Sequence, residues 1–410
     1  MNSFAVLPHR MMRAAATAVT AFALAGSAFA AGPKAYVGNF KDNSVSVIDT
    51  DSRAVLATLP VAAGPDGIAI TPDGGTAFVS GSSASSVSAI DTATDKVARS
   101  IEVGKGPQGL AITPDGHWLL VAVNGEDRVA LVDIASGNVA GNVAVAKPHT
   151  IAVRADGQLA YVTSQEPGHF ALAIVDLAAR TVVGSVPVDK PPRDLEFGDD
   201  GRMLYFTLAG TPAVQVLDPA TNKLVAQIAT GVSPHLAHHF AGMREGVVVV
   251  QGPGELTLFD AGTNKVVRSI AVGKQPHWVD ASADGKRLFV TNEGSNTVSV
   301  IDPASGETGT IAVGNAPRKI AVQRRVAAAG AKVSIANFAF EPGQITIAAG
   351  ERVTWSNDDG APHGVRFANG LAGQDLMLPG QSFAQTFAQP GVYEYVCSVH
   401  PYMTARITVR

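Results

Sequence analysis

Among 410 residues there is a single cysteine, Cys397, and only 16% of the side chains are charged. One thiol excludes an intrachain disulfide, so no covalent staple holds this chain. The 31 Lys and Arg against 35 Asp and Glu leave no basic excess, which argues against a nucleic-acid partner. Long apolar runs are missing too. Beyond residues 14–24 nothing approaches the roughly 20 residues of a membrane-spanning helix, so no membrane span is expected. Walker loops, serine-nucleophile elbows, Cys-x-x-Cys-His haem sites and dinucleotide fingerprints are likewise absent.

What is present begins with an export signal. Arg10 and Arg13 precede the apolar run, and Ser27-Ala28-Phe29-Ala30 has the small-x-small pattern of a cleavage site. Residues 1–30 therefore read as a signal peptide and the mature chain as periplasmic. A lone thiol in an oxidising compartment is a liability unless something occupies it, which marks Cys397 as a candidate ligand.

The strongest organisational signal is repetition. An aspartate closes a β-rich run at Asp49, Asp91, Asp133, Asp176, Asp218, Asp260 and Asp302. A proline recurs in step at Pro65, Pro107, Pro148, Pro192, Pro234, Pro276 and Pro317. Each unit of about 42 residues reads as four short strands separated by Gly, Asp and Asn turns, the size of one propeller blade. The run opens on a second-strand sequence (Ala35-Tyr36-Val37) and closes on a first-strand sequence (Lys319-Ile320-Ala321-Val322). One blade is thus shared between the two ends, and an all-β, seven-bladed β-propeller is expected over residues 34–322.

Leu288-Phe289-Val290-Thr291-Asn292, followed by Asn296-Thr297-Val298-Ser299-Val300-Ile301-Asp302, resembles the YVTN family of β-propeller repeats, as does Ala160-Tyr161-Val162-Thr163-Ser164. The resemblance specifies fold far better than function. Repetition stops at Val322, residues 323–331 read as a short linker, and residues 332–410 as a domain of their own. Seven strand-like runs, at 333–335, 345–347, 353–355, 364–367, 383–387, 393–396 and 406–409, suggest a small Greek-key β-sandwich.

That last domain carries Cys397-Ser398-Val399-His400-Pro401-Tyr402-Met403, with His363 34 residues upstream of the cysteine. A thiolate, two imidazoles and a thioether make a trigonal site with a weak axial ligand, and soft sulfur ligands select copper over harder ions. His363, Cys397, His400 and Met403 are therefore the expected ligands of one type 1 copper. A dinuclear centre would need a second cysteine. Val353-Thr354-Trp355-Ser356-Asn357, Pro362-His363-Gly364-Val365-Arg366-Phe367, Gly391-Val392-Tyr393-Glu394-Tyr395 and the Cys397–Met403 loop resemble the cupredoxins, and within them amicyanin. The resemblance implies an electron port at His400, framed by Pro362, Pro401 and Tyr402, where redox partners would dock. One departure is Gly364, where amicyanins usually carry an asparagine that ties the ligand loops together.

The propeller offers a second candidate site. The residue after each repeat proline should face a channel mouth, which gives Asp66, Gln108, His149, Arg193, His235, His277 and Arg318. Three steps further on, Glu196, His238 and Asp280 stand out among alanines. His149, Arg193, His235, His238 and His277 are the candidate residues there, for a ligand or a second metal. Two functions stay open. One is an exported single-electron carrier whose propeller is a docking or ligand-binding platform. The other is an oxidoreductase with a catalytic or second metal site at the channel mouth, the copper domain relaying electrons. A copper-storage or delivery role is a third possibility.

Overall fold

The computed structural model describes residues 33–324, 331–347, 351–371, 373–387, 389 and 391–409. The expected signal peptide lies outside these residues, as does most of the expected linker. Among the described residues no helix is long and apolar enough to cross a membrane.

Seven four-stranded antiparallel sheets occupy Lys34–Val322. Every innermost strand starts on a repeat proline, from Pro65–Ile70 to Pro317–Val322. Proline suits this place because a strand's first residue need not donate to the ladder. Lys34–Asn39 pairs on one side with Ser44–Asp49 and on the other with Pro317–Val322, so the two ends of the repeat region close one blade together. The fold is a seven-bladed propeller.

The repeated aspartates explain how each third strand turns into the fourth. Asp49 Oδ1 accepts the amides of Asp51 and Ser52, and Asp91, Asp260 and Asp302 make the same two bonds two and three residues on. The fourth residue after each aspartate has positive φ: Arg53, Asp95, Gly137, Arg180, Asn222, Asn264 and Gly306. A carboxylate-capped turn closed by one left-handed residue is what this stretch repeats seven times.

The threonine of the YVTN-like motif ties neighbouring blades. Thr207 donates to the His235 carbonyl at 2.7 Å, and Thr291 donates to the Arg318 carbonyl. The motif's asparagine works within a blade, Asn292 donating to Thr297 and Ser299 and accepting the Gly273 amide. Buried Val, Leu, Ile and Phe between blades supply the packing; the cluster from Leu236 to Val322 also takes in Ala35, Val37 and Ile48 from the closing blade.

Residues 331–409 form a separate sandwich, with no strand shared between it and the propeller among the described residues. One sheet joins Ala339–Glu341, Ala331–Ala336, Arg352–Asn357 and Ser382–Thr386. The other joins Gln344–Ile347, Thr404–Val409, Gly391–Val396, His363–Phe367 and Gln374–Met377. Nine strands appear where seven were expected. The additions are short edge strands, Ala339–Glu341 burying only Phe340 and Gln374–Met377 burying only Met377. The core centres on Trp355, fully buried against Phe367, Phe383, Phe387 and Tyr395.

Neighbouring blades leave no room for a side chain at Gly67 and Gly109 of the innermost strands. A Cβ on Gly109 would lie 2.5 Å from the His149 carbonyl oxygen and 2.8 Å from the Thr150 Cα, both backbone atoms of the next blade. Gly109→Ala is therefore expected to cost about 1–3 kcal/mol by overpacking, read as a lower denaturant midpoint. An unchanged midpoint would contradict this close contact.

Candidate functional site

Three strand ends of the sandwich converge. His363 opens His363–Phe367, Cys397 follows Gly391–Val396 directly, and Met403 directly precedes Thr404–Val409. Between the last two, the Cys397 amide donates to the Met403 carbonyl at 3.0 Å and the Met403 amide donates to that of His400 at 3.0 Å. The loop is thus drawn tight over one end of the core. Cys397 and His363 are fully buried, Met403 nearly so, and His400 is half-buried.

Cys397 Sγ lies 3.6 Å from His363 Nδ1 and 3.9 Å from His400 Nδ1, and the two nitrogens are 3.3 Å apart. A circle through these three atoms has a radius of about 2.1 Å, close to the bonds a first-row metal makes to imidazole and thiolate. Among the described residues this is the one group of three or more His, Cys, Asp or Glu whose ligand atoms come within 4.8 Å of one another.

The surroundings hold these atoms in place. His363 turns Nδ1 toward the cluster and its Nε2 toward Asp359 Oδ2, 3.2 Å away. The same carboxylate oxygen accepts the Phe338 amide at 2.9 Å. That bond, with those from Gly360 and His363, holds the Asp359 carboxyl below the ordinary carboxylate range. Phe338 sits at a left-handed corner (φ 58°), and its ring meets His363 and His400 edge-on at 5.4 and 5.0 Å. Buried Asn357 staples the His363 loop, donating to the carbonyls of Ala361 and Met377 at 2.9 Å each. The Cys397 sulfur accepts the amides of Gly364 at 3.4 Å and His400 at 3.3 Å.

Gly364 has a steric reason. A Cβ there would overlap Ser398 Oγ and come within 2.5 Å of the Asp375 carbonyl oxygen. Ser398 fills that space and donates to the Asp375 carbonyl, tying the cysteine loop to the strand beside His363. Where a residue-364 side chain would have linked the loops, a hydroxyl from the opposite loop does so.

The description "Copper binding proteins, plastocyanin/azurin family" matches residues 327–410. Amicyanin-alpha of Methylorubrum extorquens is 32% identical over 87 residues, 20% of this chain and 73% of the relative. The chain belongs to the plastocyanin/azurin family of copper-binding proteins. Plastocyanin of Scenedesmus fuscus is 40% identical over 72 residues, 15% of this chain and 74% of the relative. Amicyanin of Paracoccus versutus is 39% identical over 71 residues, 16% of this chain, which spans about half of that relative (54%). All three cover only a fraction of the chain, whose C-terminal domain is a cupredoxin. That fold implies one type 1 copper, and the chemistry of the donor set fits it, two imidazole nitrogens and a thiolate at bonding radius.

The propeller has its own matches. A YNCE-like beta-propeller description covers residues 5–113. Kuenenia stuttgartiensis hydrazine synthase superposes with a TM-score of 0.61 at 20% identity, over 68% of this chain and 99% of that one. A dihydro-heme d1 dehydrogenase gives 0.56 at 18% identity, over 71% and 75%. At these identities the likeness is one of fold alone.

The channel holds two cavities. The first, about 730 Å³, lies where the innermost strands begin and is lined by all seven residues that follow the repeat prolines, His149, Arg193, His235 and His277 among them. His238 is not with them. It lines a second cavity of about 680 Å³ toward the strand ends, with Glu196 and Asp280. There His238 Nε2 pairs with Asp199 at 2.9 Å, and burial pushes the Glu196 carboxyl up to about 7. A register shift in the innermost strand, such as that between Pro234 and Ala237, flips the alternation so that positions one and four after the proline both face the channel. Three residues of strand then separate them by about 10 Å along the axis. A second metal finds no support among the described residues, since no propeller histidines form a three-ligand cluster.

Sequence reasoning missed Asp359, Phe338, Ser398 and, in the channel, Asp194 and Lys319. A carboxylate four residues before a ligand histidine was a usable signal; the roles of the others depend on turn and loop geometry. A carboxylate on the far imidazole nitrogen raises ligand basicity. Asp359→Ala is therefore expected to raise the reduction potential of the copper-loaded protein and to weaken copper retention about 10–100-fold, read by redox titration and chelator competition. Unchanged values would contradict the role assigned to this contact.

Proposed function

We propose that this chain is an exported, periplasmic copper protein that moves single electrons, its copper held by His363, Cys397, His400 and axially by Met403. The observation that carries the reading is the convergence of one sulfur and two Nδ1 atoms at the end of a cupredoxin sandwich related to amicyanins and plastocyanins. A bound copper supplies a one-electron couple. The chain's part is to keep the donor atoms still. Three ligands leave from the ends of paired strands, Asp359 fixes one ring, and two amides point at the sulfur. A donor set that does not rearrange suits an ion that must change oxidation state quickly.

His400 is the half-buried ligand, and the residues around it are apolar and outward-facing. Pro362 and Pro401 are exposed, as are Tyr402 (69%), Phe338 (42%) and Val399 (40%). Such a collar favours brief contact with a redox protein partner, because it excludes water from the His400 edge without committing charges to one partner. The propeller serves in this reading as a docking or ligand-binding platform. Among the described residues, the oxidoreductase alternative with a second metal lacks a ligand cluster to support it.

Metal analysis of the purified protein is expected to give one copper per chain, and voltammetry one reversible electron. Tyr402→Lys should slow electron exchange with a redox partner protein while leaving the potential unchanged. Two coppers per chain, or exchange indifferent to residue 402, would contradict the proposal.

A further inference from the structure

We propose that the first channel cavity of the propeller binds a small hydroxylated organic acid, its carboxylate on Arg193 and its hydroxyls on the amide and imidazole groups opposite and beside it. The hydroxyl partners meant are Gln108 and His277, each two blades from Arg193; the proposal rests on the reading of the propeller as a ligand-binding platform and names the class of ligand.

The charge map of the cavity is uneven. On one side Arg318 is engaged by two carboxylates, Asp66 at 3.2 Å and Glu293 at 3.5 Å, and lies 3.5 Å over the Phe40 ring. Lys319 stands 3.7 Å from Asp194 and 3.9 Å over the Trp278 ring. Both cations are therefore already matched. Arg193 is three blades from Asp66 in one direction and three from Arg318 in the other, so it faces them across the channel. It donates to Ser233 Oγ at 3.0 Å, and among the described residues no carboxylate stands at ion-pair distance from it. A guanidinium offers five N–H donors in a planar fork that matches a carboxylate. Most of that fork is uncommitted here.

The other groups in the cavity want a hydroxyl rather than a second charge. His277 is only 8% exposed and its Nδ1 has no partner. Burial, reinforced by His235 4.0 Å away ring to ring, holds His277 well below its ordinary range, so at neutral pH it is an uncharged imidazole. Gln108 Oε1 is likewise buried without a donor. Asp194 is fully buried beside His235 Nδ1 at 2.7 Å. Burial opposes its ionisation, but His235 and Lys319 outweigh it and keep the carboxyl ionised. A hydroxyl can donate to Gln108 and either donate to or accept from His277; a bare alkyl chain would leave both unpaired, which costs affinity. The volume of about 730 Å³ is that of a small-molecule site. A metal ion is disfavoured because no three ligand atoms converge.

Calorimetry on the full copper-loaded chain separates the terms with three probes of similar size. Gluconate has a carboxylate and hydroxyls, sorbitol only the hydroxyls, and hexanoate only the carboxylate. Gluconate is expected to bind saturably at one site per chain, with sorbitol and hexanoate weaker by about tenfold or more. Arg193→Gln should weaken gluconate at least about tenfold, and Arg193→Lys less. His277→Ala should lower the affinity for gluconate but not for hexanoate. The visible copper spectrum and melting temperature of each variant, taken on the same samples, show that the fold and copper site are intact. No saturable gluconate binding, affinity unaffected by Arg193→Gln, or equal binding of all three probes overturns the proposal. A normal copper spectrum beside such a result would leave the electron-carrier reading standing. A colourless protein that still binds gluconate would remove that reading and keep this one.

Discussion

Three electron-pair donors, Cys397 Sγ and the Nδ1 atoms of His363 and His400, are packed within 3.9 Å of one another at the edge of a hydrophobic core. Such an arrangement is costly unless a cation sits between them, because buried polar atoms need partners and, apart from two amides on the sulfur, these donors face one another. Much of the sandwich follows from meeting that constraint. His363 and Cys397 leave from the ends of ladder-paired strands and His400 from the tight loop between two of them, Trp355 and its ring of aromatics stiffen the core beneath, and the amides of Gly364 and His400 soften the charge on the sulfur. Ser398, Asn357 and Asp359 then lock the three loops to one another.

The propeller solves a different problem by repetition. A proline start and an aspartate-capped turn recur in step, with a hydroxyl tie to the next blade from Ser80, Thr207 and Thr291, so each blade delivers its equivalent side chains to the same height of the channel. Once the frame is fixed, those positions are free to vary. Asp66, Gln108, His149, Arg193, His235, His277 and Arg318 put four residue types at one structural step. This is how a ring of near-identical units acquires an asymmetric charge map, with matched cations on one side and an unmatched arginine on the other.

The blades were legible because their signals are local and periodic. Asp49 or Asp260 needs only the next four residues to make its turn, and the proline period places every innermost strand. The candidate copper residues stand out for the same reason, Cys397, His400 and Met403 lying within seven residues. Short edge strands such as Ala339–Glu341 carry too few residues to show alternation. The separation of His238 from His235 was hidden by a register shift, since strict alternation would have turned position 238 away from the channel. Ser398 standing in for a side chain at Gly364 depends on how two distant loops meet. No pattern within either loop carries that.

Whether Cys397 is a copper-bound thiolate in a trigonal site is read from the visible absorption and electron paramagnetic resonance spectra of the oxidised, copper-loaded protein. An intense thiolate-to-copper charge-transfer band and an unusually small copper hyperfine splitting are expected, both lost in Cys397→Ser. A colourless copper-loaded protein, or spectra that survive Cys397→Ser, would contradict it.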